Sequence, residues 1–377
     1  MILPGATIGV VGGGQLGRMF TIRARTMGYR VVVLEPDPRS PAGSVADHQI
    51  EAAYDDPAAL AELVARCAAV TTEFENVPAE ALASLEDRVR VRPGSGAVAI
   101  AQDRIAEKEA MRRAGLATAE FRPVRSGSAA RAAFDELAVR SAILKTNRLG
   151  YDGKGQALVS SPDECEAAFN SLGGVPCILE ERLRLECEVS VILARGDDGA
   201  VAAFPPGENR HRLGILESTV VPARIPESLA NEASAMAEAV AHAIGYVGVL
   251  GVELFVAEGG RLFVNEIAPR PHNSGHYTLD ACAVDQFEQQ VRALCGLPLG
   301  APRLLTPVAM VNLLGDLWAG GEPHWDRALA LPGVRLTLYG KAEPRPGRKM
   351  GHLTCMAPSP DEALAGALEA RSRLTDS

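Results

Sequence analysis

The residues best placed to do chemistry are two glutamates, Glu253 and Glu266, on either side of the turn Glu258-Gly259-Gly260-Arg261. Residues 249–256 alternate as a strand, with Leu250, Val252 and Leu254 on one face and Gly251 and Glu253 on the other. Residues 262–267 read as the returning strand of a hairpin, with Gly259 and Gly260 as a two-residue loop. That register sets Glu253 directly opposite Glu266, with Cβ atoms roughly 4.5–5.5 Å apart. Two like charges so placed destabilise a sheet unless a proton or a cation sits between them. Oxygen donors, with no histidine or cysteine on the hairpin, suit Mg²⁺, or Mn²⁺ in its place, together with phosphate and water ligands. Two solvated glutamates on an exposed hairpin are the plainer alternative.

Three further stretches fit a nucleotide. Lys145-Thr146 ends the apolar run Ala142-Ile143-Leu144, and Gly150-Tyr151-Asp152-Gly153-Lys154-Gly155-Gln156 follows with three glycines in seven residues. Such a loop can fold over phosphates, donating backbone N–H groups and the Lys154 charge, while Lys145 would be a fixed cation. Residues 187–193 alternate and place Glu186, Glu188 and Ser190 on one face. Upstream, Glu180-Glu181-Arg182-Leu183 leaves a strand, where backbone groups could meet an adenine edge and Glu188 a ribose. Each of these alone also describes a solvated turn or a surface acid.

Near the start, Gly12-Gly13-Gly14-Gln15-Leu16-Gly17 follows a β-branched run and opens a helix-like segment, with Glu35 at the distance of a ribose-binding acid. The physical content of this pattern is that backbone N–H groups at a helix N-terminus can approach an anion. NAD(P) binding, binding of a substrate phosphate or ribose, and glycines that only allow packing all stay open. Gly17 is followed by Arg18-Met19, which excludes a P-loop.

The elements that must carry these residues alternate strand and helix over the first hundred positions, with strands at 29–34 and 69–74 and a helix opened by Asp56-Pro57. That order predicts a parallel sheet with helices on its faces. Residues 102–115 read as a helix, and Ser161-Pro162-Asp163-Glu164 has capping-box spacing. Strands dominate 141–256, except for a long alanine-rich helix at 226–244. A proline-rich break at 297–307 precedes a small strand-rich unit closed by a helix after Pro360. The net charge of −9 argues against a nucleic-acid partner. The most apolar stretch, 233–256, is interrupted by Glu238, His242 and Glu253, so no membrane span is expected. The first five residues lack signal-peptide features, and seven cysteines without a CxxC pair fit reduced thiols in the cytoplasm.

Taken together, several longer motifs resemble a known family. Gln102-Asp103-Arg104 with Lys108, Lys145, the loop 150–156, and Asn265-Glu266-Ile267-Ala268-Pro269-Arg270-Pro271-His272-Asn273-Ser274-Gly275-His276 resemble the ATP-grasp ligases. Glu73-Phe74-Glu75-Asn76-Val77 and Arg348-Lys349-Met350-Gly351-His352 narrow the resemblance to the N5-carboxyaminoimidazole ribonucleotide synthases, over residues 12 to about 352. The resemblance implies an α/β, three-domain architecture: a Rossmann-like pre-ATP-grasp domain (1–100), an ATP-grasp domain with a mobile lid (101–296) and a small strand-rich C-terminal domain (297–377). It also implies a homodimer that joins bicarbonate to 5-aminoimidazole ribonucleotide using ATP. ATP contacts would fall on Arg104, Lys145, Gly150, Tyr151, Asp152, Gly153, Lys154, Gly155, Gln156, Glu180, Glu181, Arg182, Leu183, Glu188, His211, Asn265 and Glu266, and Mg²⁺ on Glu253 and Glu266.

The ribonucleotide would meet Gln15, Leu16, Glu73, Tyr151, Asp152, Arg270, His272, Asn273, Lys341, Arg348 and Lys349, with Asp152, Lys154, Arg270, His272 and Lys349 taking catalytic roles. Within those roles Arg270 would hold a bicarbonate-derived oxyanion, and Asp152 and His272 would orient or deprotonate the amine. Thr337 stands where family members commonly carry histidine, and Lys154 where arginine is also typical. The alternatives are another ATP-grasp ligase, of the formate-dependent glycinamide ribonucleotide transformylase or biotin carboxylase type, and an NAD(P)-dependent dehydrogenase.

Overall fold

The computed structural model describes residues 1–150 and 155–375. The first sheet comprises β1 (Thr7–Val11), β2 (Arg30–Leu34), β3 (His48–Ile50), β4 (Ala69–Thr72) and β5 (Arg90–Val91), ordered β3-β2-β1-β4-β5 with every pair parallel. The expected parallel sheet is thus present, because parallel neighbours need crossovers and the crossover helices cover both faces. Leu16, Met19 and Phe20 of the helix Gln15–Thr26 pack on one face with Phe287 and Leu294 of the much later helix Gln286–Cys295. Leu60, Leu63, Leu82 and Leu85 cover the other face. The helix Pro57–Arg66 begins where its Asp-Pro pair predicts, with Asp56 accepting the N–H groups of Ala58 and Ala59. Strands β3 and β5 have three and two residues, too few to show any periodicity in the sequence.

A four-stranded antiparallel sheet follows, formed by β6 (Phe121–Val124), β7 (Ala142–Thr146), β8 (Gln156–Val159) and β9 (Cys177–Glu181) in the order β6-β9-β7-β8. Helices Gly127–Leu137 and Pro162–Ser171 back it. Ser161 Oγ caps the second helix by accepting the Glu164 N–H, while the Glu164 carboxylate reaches back one residue further than a standard box, to the N–H of Ser160.

The remaining strands are β10 (Leu185–Arg195), β11 (Val201–Ala203), β12 (Gly207–Arg212), β13 (Ile215–Val221), β14 (Gly248–Ala257), β15 (Arg261–Ala268), β16 (Val308–Leu314), β17 (Val334–Leu338) and β18 (Lys349–Met356). They form one antiparallel sheet ordered β15-β14-β10-β12-β13-β16-β18-β17, with β11 beside β10. The proline-rich break therefore does not end the sheet: β16 pairs with β13, and the C-terminal strands continue the same ladder. The alanine-rich helix Glu227–Ala243 lays Ala233, Ala237, Val240 and Ala241 against Val191, Val252 and Leu254, so small side chains let it lie close to one face. The opposite face carries Ser190 beside Glu253. Among the described residues no helix is long and apolar enough to cross a membrane.

One buried side chain joins the first sheet to the third. Gln290 accepts the Val249 N–H at 2.6 Å and donates to Thr71 Oγ1 at 2.9 Å and to the Arg92 carbonyl at 3.3 Å. Gln290→Leu would leave buried backbone groups on both sides without partners, at about 1–3 kcal/mol each. We expect urea unfolding to show a loss of about 2–4 kcal/mol, and a change below about 0.5 kcal/mol would show that the joint lies elsewhere.

Candidate active site

Strands β14 and β15 form the expected hairpin, and Glu253 faces Glu266. The route to that pairing differs from the two-residue loop. Ala257 pairs with Arg261, so the loop is Glu258-Gly259-Gly260, with the two glycines at φ 82° and 71°. The extra loop residue slips the register by one, as far as Leu254 opposite Val264. A bulge then absorbs the slip: Asn265 is the additional residue, and Glu253 meets Glu266.

Basic side chains surround the pair. Glu266 accepts from Arg104 at 3.0 Å, and Arg104 also donates to the Gly150 carbonyl at 3.0 Å. Glu253 lies 3.3 Å from His272 Nε2. Burial works to raise the Glu253 carboxyl, but the hydrogen bond and charge of His272, with His211 and Lys349, hold it down at about 2. His211 Nδ1 lies 2.8 Å from Glu188; burial would lower this imidazole, yet Glu188 and Glu253 raise it above its ordinary value. Lys145 is nearly buried and donates to Glu180 at 2.8 Å, with Lys108 at 3.7 Å from the same carboxylate. Burial opposes ionisation of Glu180, but these two lysines bring it down to about 2. One oxygen of Glu180, Oε2, is therefore engaged by lysines, while Oε1 is buried without a hydrogen-bond partner. The N–H groups of Glu181 and Arg182 bond to the carbonyls of Glu120 and Ser141, so the main chain left to meet a base centres on Leu183.

The glycine-rich start behaves differently from an open anion cradle. Gly14 and Gly17 donate to the Glu73 carboxylate at 2.9 and 2.8 Å, and Gly13 donates to Glu35 at 2.8 Å. Tyr54 also donates to Glu35, at 2.7 Å. A Cβ on Gly14 would come within 2.2 Å of Glu73 Oε1, so this close approach needs glycine. Two carboxylates already occupy the amides, so a dinucleotide pyrophosphate would meet repulsion there, and the NAD(P) reading is set aside. The same occupancy corrects the expectation of a substrate phosphate on these N–H groups; Glu73 can instead accept from a hydroxyl or amine. Burial pushes the Glu73 carboxyl up, although the Gly17 and Gly14 N–H groups and Arg270 pull against it. Gln15 is half-buried, and the Leu16 side chain belongs to the apolar core, which leaves only its main chain for a ligand.

Arg270 pairs with Glu75, which carries the chain after β15 back onto the first sheet's loops. His272 Nδ1 bonds Ser274 Oγ at 2.8 Å, and Ser274 Oγ bonds Ser190 Oγ at 2.7 Å. Both amide atoms of Asn273, and Asn265 Oδ1, are buried without a protein partner, as groups awaiting a ligand would be. Lys341 donates to the Lys349 carbonyl at 2.8 Å and Arg348 to the Glu343 carbonyl at 2.9 Å, forming a basic loop after β17. Thr337 sits opposite His352, whose imidazole burial drives down to about 3. Gly155 and Gln156 begin the return of the loop into β8, where Gln156 pairs with Lys145. Tyr151, Asp152, Gly153 and Lys154 lie outside the described residues.

Three domain models match in succession: a ribonucleotide synthetase preATP-grasp domain over residues 5–102, an ATP-grasp domain over 109–287 and a phosphoribosylaminoimidazole carboxylase C-terminal domain over 308–366. The N5-carboxyaminoimidazole ribonucleotide synthase of Brucella melitensis is 48% identical over 94% of this chain and 97% of its own. That of Bacillus subtilis is 45% identical over 96% and 94%. The chain belongs to the N5-carboxyaminoimidazole ribonucleotide synthase family. A crystal structure of a synthetase of this family in complex with ADP has a TM-score of 0.93 at 43% identity, covering 98% of this chain and 97% of the other. The Aspergillus clavatus N5-carboxyaminoimidazole synthase, in complex with ADP and 5-aminoimidazole ribonucleotide, has a TM-score of 0.90 at 30% identity and 98% coverage of each chain.

Glu75, Glu107, Ser190 and Ser274 carry no role legible in the sequence, and Lys108 stands there only as part of a motif. Glu75, Glu107, Lys108 and Ser190 find partners far away in the chain, and Ser274 joins its near neighbour His272 to the distant Ser190, so no local spacing could point to this set. Glu107 is buried, which pushes its carboxyl up to about 8; Lys108 pulls it down and Glu266 pushes it further up. The Glu180 site makes a prediction about acid stability. Its folded pKa of about 2 lies below the ordinary value, so its stabilisation is complete above pH ~4.5 and is lost as pH falls toward 2. Glu180→Gln should flatten that part of the thermal-stability profile, and an acid limb identical to the parent's would contradict this account.

Proposed function

We propose that the chain carboxylates the amine of 5-aminoimidazole ribonucleotide with bicarbonate and ATP, giving N5-carboxyaminoimidazole ribonucleotide, ADP and phosphate. The observation that carries this reading is the sharing of one strand end by two different kinds of site. Glu253, Glu266, Arg104 and Lys145 form a polyphosphate side, and the residues just after β15, Arg270, His272 and Asn273, reach toward Glu73 and Glu75 of the first unit. The complex of the Aspergillus relative with both ADP and 5-aminoimidazole ribonucleotide supports the same pairing of ligands.

Bicarbonate is a poor electrophile and must be activated. One of its oxygens attacks the γ-phosphorus, the bond from that phosphorus to the β,γ-bridging oxygen breaks, and ADP departs from carboxyphosphate. The amine nitrogen then attacks the carboxyl carbon, of carboxyphosphate or of the CO₂ it releases, phosphate leaves, and the amine proton passes to a base. Lys145 and Arg104 neutralise charge on the phosphates. Arg270 offers a planar fork to the carboxyl oxygens once it exchanges Glu75 for substrate. His272, its Nδ1 engaged by Ser274 and its Nε2 beside Glu253, serves with Asp152 to orient or deprotonate the amine. Lys154 and Lys349 supply charge near the transferred group. Lys341 and Arg348 take the 5′-phosphate, and the loop containing Tyr151 and Asp152 excludes water.

Among the described residues no group of three His, Cys, Asp or Glu side chains forms a ready metal cage. Glu253 and Glu266, with the unpartnered Asn265 Oδ1, fit a hard cation that keeps phosphate and water as its other ligands. Mg²⁺, or Mn²⁺, held there would supply charge for the phosphoryl transfer. We further infer domain limits of 1–100, 101–296 and 297–377, a homodimer, and a cytoplasmic location, the last supported by seven free cysteines.

Purified protein should release ADP only when 5-aminoimidazole ribonucleotide, bicarbonate and Mg²⁺ are all present. Stimulation by glycinamide ribonucleotide or biotin, with none by 5-aminoimidazole ribonucleotide, would end this reading. Glu266→Ala should lower turnover by about 10²-fold or more, as loss of a charge-stabilising group at a transferring phosphoryl does; full turnover would remove Glu266 from the site.

A further inference from the structure

The bulge that brings Glu266 opposite Glu253 interrupts the β14–β15 ladder, and an interrupted ladder leaves backbone groups in need of partners. Two consecutive residues of the helix Arg104–Arg113 provide them. Lys108 Nζ donates to the Asn265 carbonyl at 2.8 Å and, at 3.4 Å, to that of Val264. Glu107 Oε1 accepts the N–H of Ile267 at 2.9 Å. Both side chains are 3% exposed. On the strand's outer edge the Val264 N–H bonds to the Ala117 carbonyl at 2.8 Å. The chain is therefore gripped immediately before and after Asn265-Glu266.

We propose that Glu107 and Lys108 are positioning residues for the divalent-cation site, holding the bulge that turns both Asn265 and Glu266 toward Glu253. The proposal rests on the reading of Glu253 and Glu266 as cation ligands. The clamp prevents a one-residue slip of the hairpin register. If the pairing from Ala257 to Leu254 ran on unbroken, Asn265 would face Glu253, and Glu266 would turn to the face packed by the alanine-rich helix. A one-residue slip would thus remove one carboxylate from the site and bury it among apolar side chains. Lys108 also lies 3.7 Å from Glu180, so its loss would disturb two sites at once; Glu107 is the cleaner probe.

The test is Mn²⁺ binding to the full-length protein with ADP, followed by electron paramagnetic resonance in the absence of turnover. The parent and Glu266→Ala establish the cation reading; Glu107→Gln and Glu107→Leu examine the clamp. Glu107→Gln keeps a carbonyl oxygen for the Ile267 N–H and should stay within about threefold of the parent, whereas Glu107→Leu should bind Mn²⁺ about tenfold or more weakly, the usual loss when a ligand's support is removed. ADP affinity without metal should be unchanged in both. If Glu266→Ala loses Mn²⁺ while Glu107→Leu keeps it, or if Glu107→Gln is as impaired as Glu107→Leu, the clamp is wrong and the cation reading survives. If the parent and Glu266→Ala bind alike, both fall. Should Glu107→Leu fail to fold, Lys108→Met provides the second measurement. Its amide exchange at residues 264–268 should quicken while the rest of the hairpin keeps its protection, and unchanged exchange there would overturn the proposal.

Discussion

Two carboxylates on one face of a sheet repel each other, and a protein that places them together must surround them with positive charge or leave room for a cation. Glu253 and Glu266 impose that constraint on everything near them. Arg104 is drawn to Glu266 from the start of a helix, and His272 is drawn to Glu253 from the chain beyond β15. Behind them a second layer alternates in sign: Lys145 and Lys108 meet at Glu180, and Glu107 lies beside Lys108 and Arg104. Removing Glu180 would leave both buried lysines without that carboxylate, which is far more costly than never having built the cluster.

The other half of the site follows a related rule with the opposite sign. Backbone N–H groups gathered at the start of the first helix form a positive concavity, and the protein fills it with its own carboxylates, Glu73 and Glu35. That choice changes what the fold can accept. A pyrophosphate would meet repulsion there, whereas a neutral hydroxyl or amine can approach Glu73, and the basic loop carrying Lys341 and Arg348 is a separate source of positive charge. Glu75 meanwhile holds Arg270, so the first unit and the hairpin unit are tied by a charge pair.

Much of this was legible in the sequence where a pattern is local. The parallel first sheet, the capped helix after Asp56, the alanine-rich helix and the hairpin could be read because period and turn chemistry act over a few residues. The Glu253–Glu266 pairing was read correctly for a partly wrong reason: the loop is one residue longer than expected, and the bulge at Asn265 takes up the difference. Nothing in the hairpin's own sequence announces that bulge, because the groups that bond its backbone, Glu107 and Lys108, come from a helix about 160 residues earlier. The glycine motif misled because it reports a backbone that can approach an anion, without saying which anion. The proline-rich break marked the C-terminal unit, and a C-terminal domain model matches residues 308–366; what no local pattern could show is that its strands join the same ladder through the hydrogen bonds from β13 to β16.

If Glu253 and Glu266 act as one unit joining a divalent cation to the nucleotide, the coupling between the two ligands depends on both carboxylates. Calorimetric titration of ADP with and without Mg²⁺, in the parent, Glu253→Gln, Glu266→Gln and the double variant, tests it most directly. The account predicts that Mg²⁺ tightens ADP binding in the parent, that either single substitution removes most of this coupling, and that the double variant loses little more. An equal effect of Mg²⁺ on ADP affinity in all four proteins would contradict it.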